Sequence, residues 1–295
     1  MKKVGFVALI GEANAGKSTF VNGLMGIKIL AVSDKPQTTR ENIRAIYNDE
    51  ESQIIFVDTP GLHKPHGELG KIYIKDAKDA LSDADAVIYV IDISHKPDEH
   101  TINNLVKSGK PLFVVLNKID KLPSISVFEE RKNLYKSYFK NVPDERIITI
   151  VATEKDIPST FIPAIKSVLP EEEPYFPEDY LLDRPVEFVY SEFIKEKCMR
   201  LLRQEVPHAI HINILHVDKS EDLDEITADI IVEKASERAI VVGKNGQMIT
   251  KIRKYAENSI KGFTGRGCLL HLFVKVVPEW RNDERRLKEY GYKEW

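Results

Sequence analysis

The chain has 295 residues, 42% hydrophobic and 30% charged, and a formal net charge of −3. That length accommodates about two domains with separate cores, and the overall charge does not advertise a polyanionic partner. Cys198 and Cys268 lack ligand spacing, which argues against a disulfide framework or a cysteine zinc site; no apolar run approaches membrane-spanning length, and Met1-Lys2-Lys3 leads straight into an apolar stretch, so a soluble cytosolic protein is expected.

The apolar run from Val4 to Ile10 predicts a strand. It is followed by Gly11-Glu12-Ala13-Asn14-Ala15-Gly16-Lys17-Ser18, and Thr19 to Met25 continues as a helix. Strand, G-x-x-x-x-G-K-S and helix together make a phosphate-binding P-loop. Gly11 and Gly16 let backbone N–H groups turn inward, and the helix N-terminus adds its dipole. Lys17 is placed to reach the β- and γ-phosphates, and the Ser18 hydroxyl to take one Mg²⁺ position. Residues 28–40, polar and broken by Pro36, read as a mobile loop before an edge strand around Asn42–Tyr47.

Next, Gln53 to Val57 predicts a buried strand ending in Asp58-Thr59-Pro60-Gly61. A carboxylate at that strand end can ligate Mg²⁺, and Gly61 leaves its N–H free to approach a γ-phosphate. Three further strands are expected at 86–91, 111–116 and 146–151, the last two leading into Asn117-Lys118-Ile119-Asp120 and Val151-Ala152-Thr153. Apolar strands alternating with helices predict an α/β fold with a doubly wound, mostly parallel sheet, which binds ligands at the C-terminal ends of its strands. N-K-x-D selects the base. Asp120 can accept from guanine N1–H and N2–H₂ together, Asn117 can bond N7 and brace the loop, and the Lys118 stem can cover the ring. This half is expected to bind GTP and GDP.

Asn14, Thr38-Thr39-Arg40 and Asp58-Thr59-Pro60-Gly61-Leu62 resemble the TrmE–Era–EngA group of translation-associated GTPases. The resemblance implies GTP hydrolysis, with Thr39 closing over Mg²⁺ and γ-phosphate beside Ser18 and Asp58. It implies a catalytic set of Lys17, Thr39, Asp58, Gly61 and Asn14, the last holding a K⁺ ion. Leu62 then stands where signalling GTPases carry a water-orienting glutamine, so turnover is expected to be slow. One departure is Val151-Ala152, where the group usually has Ser-Ala; the backbone N–H for guanine O6 is retained, but the supporting hydroxyl is not.

Residues 170–185, with four prolines and many acids, read as a linker between a first domain, 1–170, and a second at 186–277. In the second, a helix from Ser191 to Glu205 with Ile194, Cys198 and Leu201 on one face precedes strands at Ala209–Val217 and Ile226–Lys234. Gly243-Lys244-Asn245-Gly246 then leads through Gln247 into a helix with Ile249, Ile252, Ala256 and Ile260 on one face, and a strand at Cys268–Val277 follows. This order resembles a type II KH domain, an α+β fold. Two glycines allow backbone N–H groups against RNA phosphates beside a groove for about four nucleotides. Residues 238–275 hold eight Lys or Arg against one acid, Glu257, a net of +7. Arg238, Lys244, Lys251 and Lys254 are the expected contacts. The tail, 278–295, offers Trp280, Arg285 and Arg286 either to clamp RNA or to pack onto the domain.

A GTPase domain of this group followed by a type II KH domain resembles the Era family along essentially the whole chain. That resemblance implies binding near the 3′ end of 16S ribosomal RNA, a role in maturing the small ribosomal subunit, and loose association with the inner face of the cell membrane; no DNA partner is expected. Two rival readings stay open: a GTP-sensing RNA chaperone that barely hydrolyses, and a GTPase acting on a protein or membrane partner.

Overall fold

A computed structural model of the chain describes residues 1–35, 39, 42–61, 78–154, 156–203 and 205–291. Its residues cluster into two units, one drawn from 1–26, 39–61 and 78–183, the other from 27–35 and 184–291.

In the first unit the described residues form a seven-stranded sheet. The strands are β1 (Lys2–Ile10), β2 (Ile43–Asn48), β3 (Ser52–Asp58), β4 (Ala86–Asp92), β5 (Leu112–Asn117), β6 (Ile147–Ile150) and the two-residue β7 (Glu171–Glu172). The order is β2-β3-β1-β4-β5-β6; only β2 and β7 run antiparallel to their neighbours. β3 and β4 are buried along their whole length, as strands covered on both faces must be. Alternation divides the core. Tyr89, Ile91, Val114 and Leu116 face a cluster with Ile102 of α2 (Glu99–Lys107) and Tyr135 of α3 (Ile125–Tyr138). On the other side Phe113 meets Phe161 of α4 (Phe161–Lys166) edge-on, and Phe161 meets Phe20 of α1 (Lys17–Met25). Helices therefore cover both faces, as expected.

The expected linker is not free. β7 pairs with Lys2 and Lys3 of β1, Leu182 bridges to Ala45, and the Gln53 side chain bonds both the N–H and the C=O of Phe176. Proline keeps this segment extended, and side chains and backbone of the sheet edge satisfy it, so residues 171–183 belong to the first unit.

After residues 27–35, the second unit resumes just ahead of α5 (Val186–Leu201), which is preceded by Pro185 at its N-cap and starts five residues before the expected Ser191. Then come β8 (His211–Lys219), β9 (Leu223–Val232), α6 (Ala235–Val242), α7 (Gln247–Thr264) and β10 (Gly267–Val276). β9 is central, antiparallel to β8 and parallel to β10. α7 buries Ile252, Ala256 and Ile260, the spacing foreseen. A shielded ion pair closes the unit: Asp224 accepts from Arg266 at 2.9 Å and from the Tyr190 hydroxyl at 2.7 Å. Cys198 is buried, and burial pushes its thiol up to about 12, so it is core packing.

Trp280 corrects the RNA reading of the tail. Its ring is 0% exposed, its indole N–H donates to Ala209 C=O at 3.0 Å, and it packs with Ile231 and with Leu287 of α8 (Glu284–Glu289). Tyr290 stacks on His211 at 4.4 Å beside it. An indole sealed in this way holds the tail to the sheet and has no face left for a base.

Candidate nucleotide and RNA sites

Both ends of the P-loop are held by its own chain. Lys17 is buried at the start of α1, where Nζ donates to the Gly11 and Glu12 carbonyls at 3.0 Å each. Burial lowers its ammonium to about 8, against the pull of the Asp58 and Glu12 carboxylates. Asn14 takes a left-handed conformation at φ 63° and is exposed. Thr19 lies one residue further along α1, and Ala13 packs under Gly61: a Cβ on Gly61 would come within 2.6 Å of the Ala13 nitrogen, so this contact admits only glycine.

Three oxygens converge beside Lys17. The Ser18 hydroxyl lies 2.6 Å from Asp58 Oδ2 and 2.8 Å from Thr39 Oγ1, and Thr39 Oγ1 is 3.3 Å from the same carboxylate oxygen. One carboxylate and two hydroxyls form a hard-oxygen set, the chemistry Mg²⁺ prefers. Thr59 anchors the following turn by donating to Leu9 C=O at 2.6 Å, and Pro60 is buried after it. Leu62, Thr38 and Arg40 lie outside the described residues.

At the base end, Asn117 is the brace. Its Nδ2 donates to Ala15 C=O at 2.8 Å, and its Oδ1 accepts from the N–H groups of Lys118 and Ala152 at 2.8 and 2.9 Å. In the Val151-Ala152 turn, the Ala152 N–H is taken up by Asn117. P-loop, N-K-x-D and the 151–153 turn are thereby tied through one buried side chain. Asp120 is exposed, Ile119 and Val151 are partly covered, and Thr153 is exposed.

Asp92 and His95 were passed over in the sequence. Asp92, at the end of β4, accepts from Lys118 Nζ at 2.8 Å, and His95 Nδ1 stands 2.8 Å from the Glu12 carboxylate. Burial would raise the Asp92 carboxyl, but Lys118 and Ser94 outweigh it and hold it below the usual range. An acid directly after an apolar strand, the pattern of Asp58, was the available signal.

The second unit presents Gly243-Lys244-Asn245-Gly246 between α6 and α7. Gly243, Asn245 and Gly246 all have positive φ, and Lys244, Asn245 and Gln247 are exposed. Arg238, Lys251 and Lys254 are exposed on the flanking helices, and Arg285 on α8. Alongside runs a cavity of about 210 Å³ lined by Ile249, Thr250 and Arg253 of α7 and by His271, Leu272 and Phe273 of β10. Phe273 is 57% exposed, unusual for its size. Sequence reading missed His271 and Phe273 because a strand facing a groove looks like any half-buried strand.

A family described as 50S ribosome-binding GTPase matches residues 6–118, and a KH domain family matches residues 205–281. GTPase Era of Clostridium tetani is 40% identical over 300 residues, covering 100% of both chains, and that of Clostridium kluyveri 41% identical over 297 residues, covering 99% of this chain and 100% of its own. The chain belongs to the Era family of GTPases. Its first unit is the family's GTPase domain and its second the KH domain. Among solved structures, Era in complex with MgGDPNP and nucleotides 1506–1542 of 16S ribosomal RNA superposes with a TM-score of 0.90 at 34% identity over 100% of each chain. A point variant of Aquifex aeolicus Era bound to GDP·AlF₄⁻ gives the same TM-score and identity over 99% of this chain and 100% of its own.

Proposed function

We infer that this GTPase binds single-stranded RNA near the 3′ end of 16S ribosomal RNA and acts in assembly and maturation of the small ribosomal subunit, with its grip on RNA set by GTP. The observation that carries the reading is the full-length similarity to an Era solved with both MgGDPNP and that RNA, together with the positive-φ Gly243–Gly246 loop and a cleft lined by apolar and basic side chains of α7 and β10.

Ser18, Thr39 and Asp58 would hold Mg²⁺, which supplies positive charge at the β- and γ-phosphates when bound. Lys17 meets the same phosphates, P-loop amides orient them, and Gly61 brings its N–H toward the γ-phosphate. Asn117 fixes the loops around the base, and Asp120 reads guanine. The exposed, left-handed Asn14 supports a K⁺ ligand in the P-loop, testable by exchanging K⁺ for Na⁺ in a hydrolysis assay. Arg238, Gly243, Lys244, Asn245, Gly246, Gln247, Lys251, Lys254 and Arg285 are the proposed RNA contacts. No described helix is long and apolar enough to cross a membrane; the reading puts the protein in the cytoplasm, with peripheral contact at the inner face of the cell membrane carried over from the family resemblance.

The test is binding of a single-stranded RNA matching the ribosomal 3′ end, with GDP and then GDPNP, across a salt series. Gly246→Asp is the control: an added side chain there meets open space, and aspartate tolerates the left-handed backbone, so the fold is kept while a negative charge faces the phosphates. Tighter binding with GDPNP, a steep salt slope and loss in the variant are expected. Binding equal in both nucleotides would remove the switch, and no binding would remove the RNA role.

A further inference from the structure

The loop expected to be mobile, residues 28–40, begins as an anchored segment. Ile29, Leu30 and Ala31 are buried, and residues 27–35 cluster with the KH unit although they follow the P-loop helix directly in the chain. What holds them is α5. The Ala31 N–H donates to Glu192 Oε2 at 3.4 Å and the Val32 N–H to Glu196 Oε2 at 3.3 Å. Lys28 pairs with Glu196 at 2.6 Å, Arg200 Nε donates to Val32 C=O at 3.1 Å, and Lys35 Nζ donates to Leu202 C=O. Glu192 and Glu196 are themselves buried, each paired with a lysine of its own helix, Lys195 and Lys197.

Two buried carboxylates cost desolvation that apolar side chains of similar volume would avoid. Here they do what apolar groups cannot: they accept from consecutive backbone N–H groups and so fix the path of the chain at Ala31-Val32. Seven residues later stands Thr39, within reach of at most about 25 Å of extended chain. Thr39 itself stands against Ser18 and Asp58.

We propose that Glu192, Glu196 and Arg200 of the KH unit are positioning residues for GTP hydrolysis, holding residues 28–35 so that Thr39 reaches the ion-binding oxygens. They touch neither nucleotide nor ion. Loosening the anchor leaves the P-loop and the N-K-x-D loop unchanged, so GDP affinity is kept, while the closed position of Thr39 is populated less. These hydrogen bonds are long, 3.1–3.4 Å, so losing one lowers the closed population by about three- to tenfold, the range of an ordinary hydrogen bond. The proposal rests on the reading of Thr39 as the hydroxyl that closes over the ion.

The experiment uses the full chain in single-turnover hydrolysis, with GDP and GDPNP affinities measured alongside. The variants are Glu196→Gln, isosteric and uncharged, and Arg200→Ala, at a half-exposed position, which removes the bond to Val32 C=O together with the 3.5 Å contact between Arg200 and Glu196 but keeps the Lys28 and Lys197 pairs of Glu196, together with the double variant and Thr39→Ala. Expected are hydrolysis slowed about three- to tenfold by each single change, a matching fall in GDPNP over GDP preference, and GDP affinity within twofold of the parent. A merely structural role would not move the GDPNP to GDP ratio. Parental rates and ratios in Glu196→Gln, Arg200→Ala and the double variant, with Thr39→Ala slowed, would overturn the proposal alone. Parental hydrolysis in Thr39→Ala would overturn the Thr39 reading and the proposal with it.

Discussion

Asn117→Ala offers a demanding test of how the nucleotide site is built. The side chain is 2% exposed and joins three segments through three hydrogen bonds, to Ala15 C=O, Lys118 N–H and Ala152 N–H. At about 1 kcal/mol net per bond, the substitution removes about 3 kcal/mol of preorganisation that a nucleotide must restore on binding, roughly a hundredfold in Kd. Stranding the buried Ala15 carbonyl and Ala152 N–H makes this the lower bound. Titration calorimetry with GDP reads the affinity, and hydrogen exchange across residues 150–154 without nucleotide reads the brace itself, since the Ala152 amide loses its acceptor. Affinity within threefold of the parent, with unchanged exchange, would refute the idea that Asn117 organises the site.

Gly61→Ala places a Cβ within 2.6 Å of the Ala13 nitrogen, so GTP binding and hydrolysis are expected to fall more than tenfold, with GDP binding less affected; parental hydrolysis would contradict the packing. Trp280→Ala is expected to destabilise the KH unit by about 3–5 kcal/mol in denaturant titrations, and Trp280→Phe by about 1 kcal/mol through the lost Ala209 bond, with RNA affinity of the folded Phe variant unchanged. A loss of RNA affinity at unchanged stability would return Trp280 to the RNA surface. Burial would raise the Asp224 carboxyl, but the hydrogen bonds from Arg266 and Tyr190 hold it below its ordinary value. Its contribution is therefore complete above about pH 4 and lost as pH falls through the folded value. The stability gap between parent and Asp224→Asn should shrink from pH 5 to pH 2, and a constant gap would deny the ion pair that role.

The nucleotide site was legible because its chemistry fixes residue type and place together. Lys17, Ser18, Asp58, Asn117 and Asp120 each follow an apolar strand, and the parallel sheet brings those strand ends together. The KH module was legible for the same reason at Gly243 and Gly246, where left-handed backbone narrows the choice of residue. What stayed hidden depends on partners far away in sequence. Residues 171–183 look like a linker by composition, yet Gln53 and Ala45 give them a sheet edge to lie on. Trp280 has a place only once Ala209, His211 and Tyr290 are beside it. Nothing in the sequence marks Glu192 and Glu196 as interior, because the groups that meet their carboxylates, the Ala31 and Val32 N–H, lie about 160 residues away.

That return has a consequence for biosynthesis. Residues 27–35 leave the ribosome with about the first fifth of the GTPase domain, but the helix that receives them is complete only at Leu201, 166 residues after Lys35. At 5–20 residues per second the delay is roughly 8 to 33 seconds. Through that interval the Ala31 and Val32 N–H groups have no α5 carboxylates to donate to. The nascent GTPase domain is therefore expected to emerge with its nucleotide loops formed and this segment still unseated until the KH unit has been made.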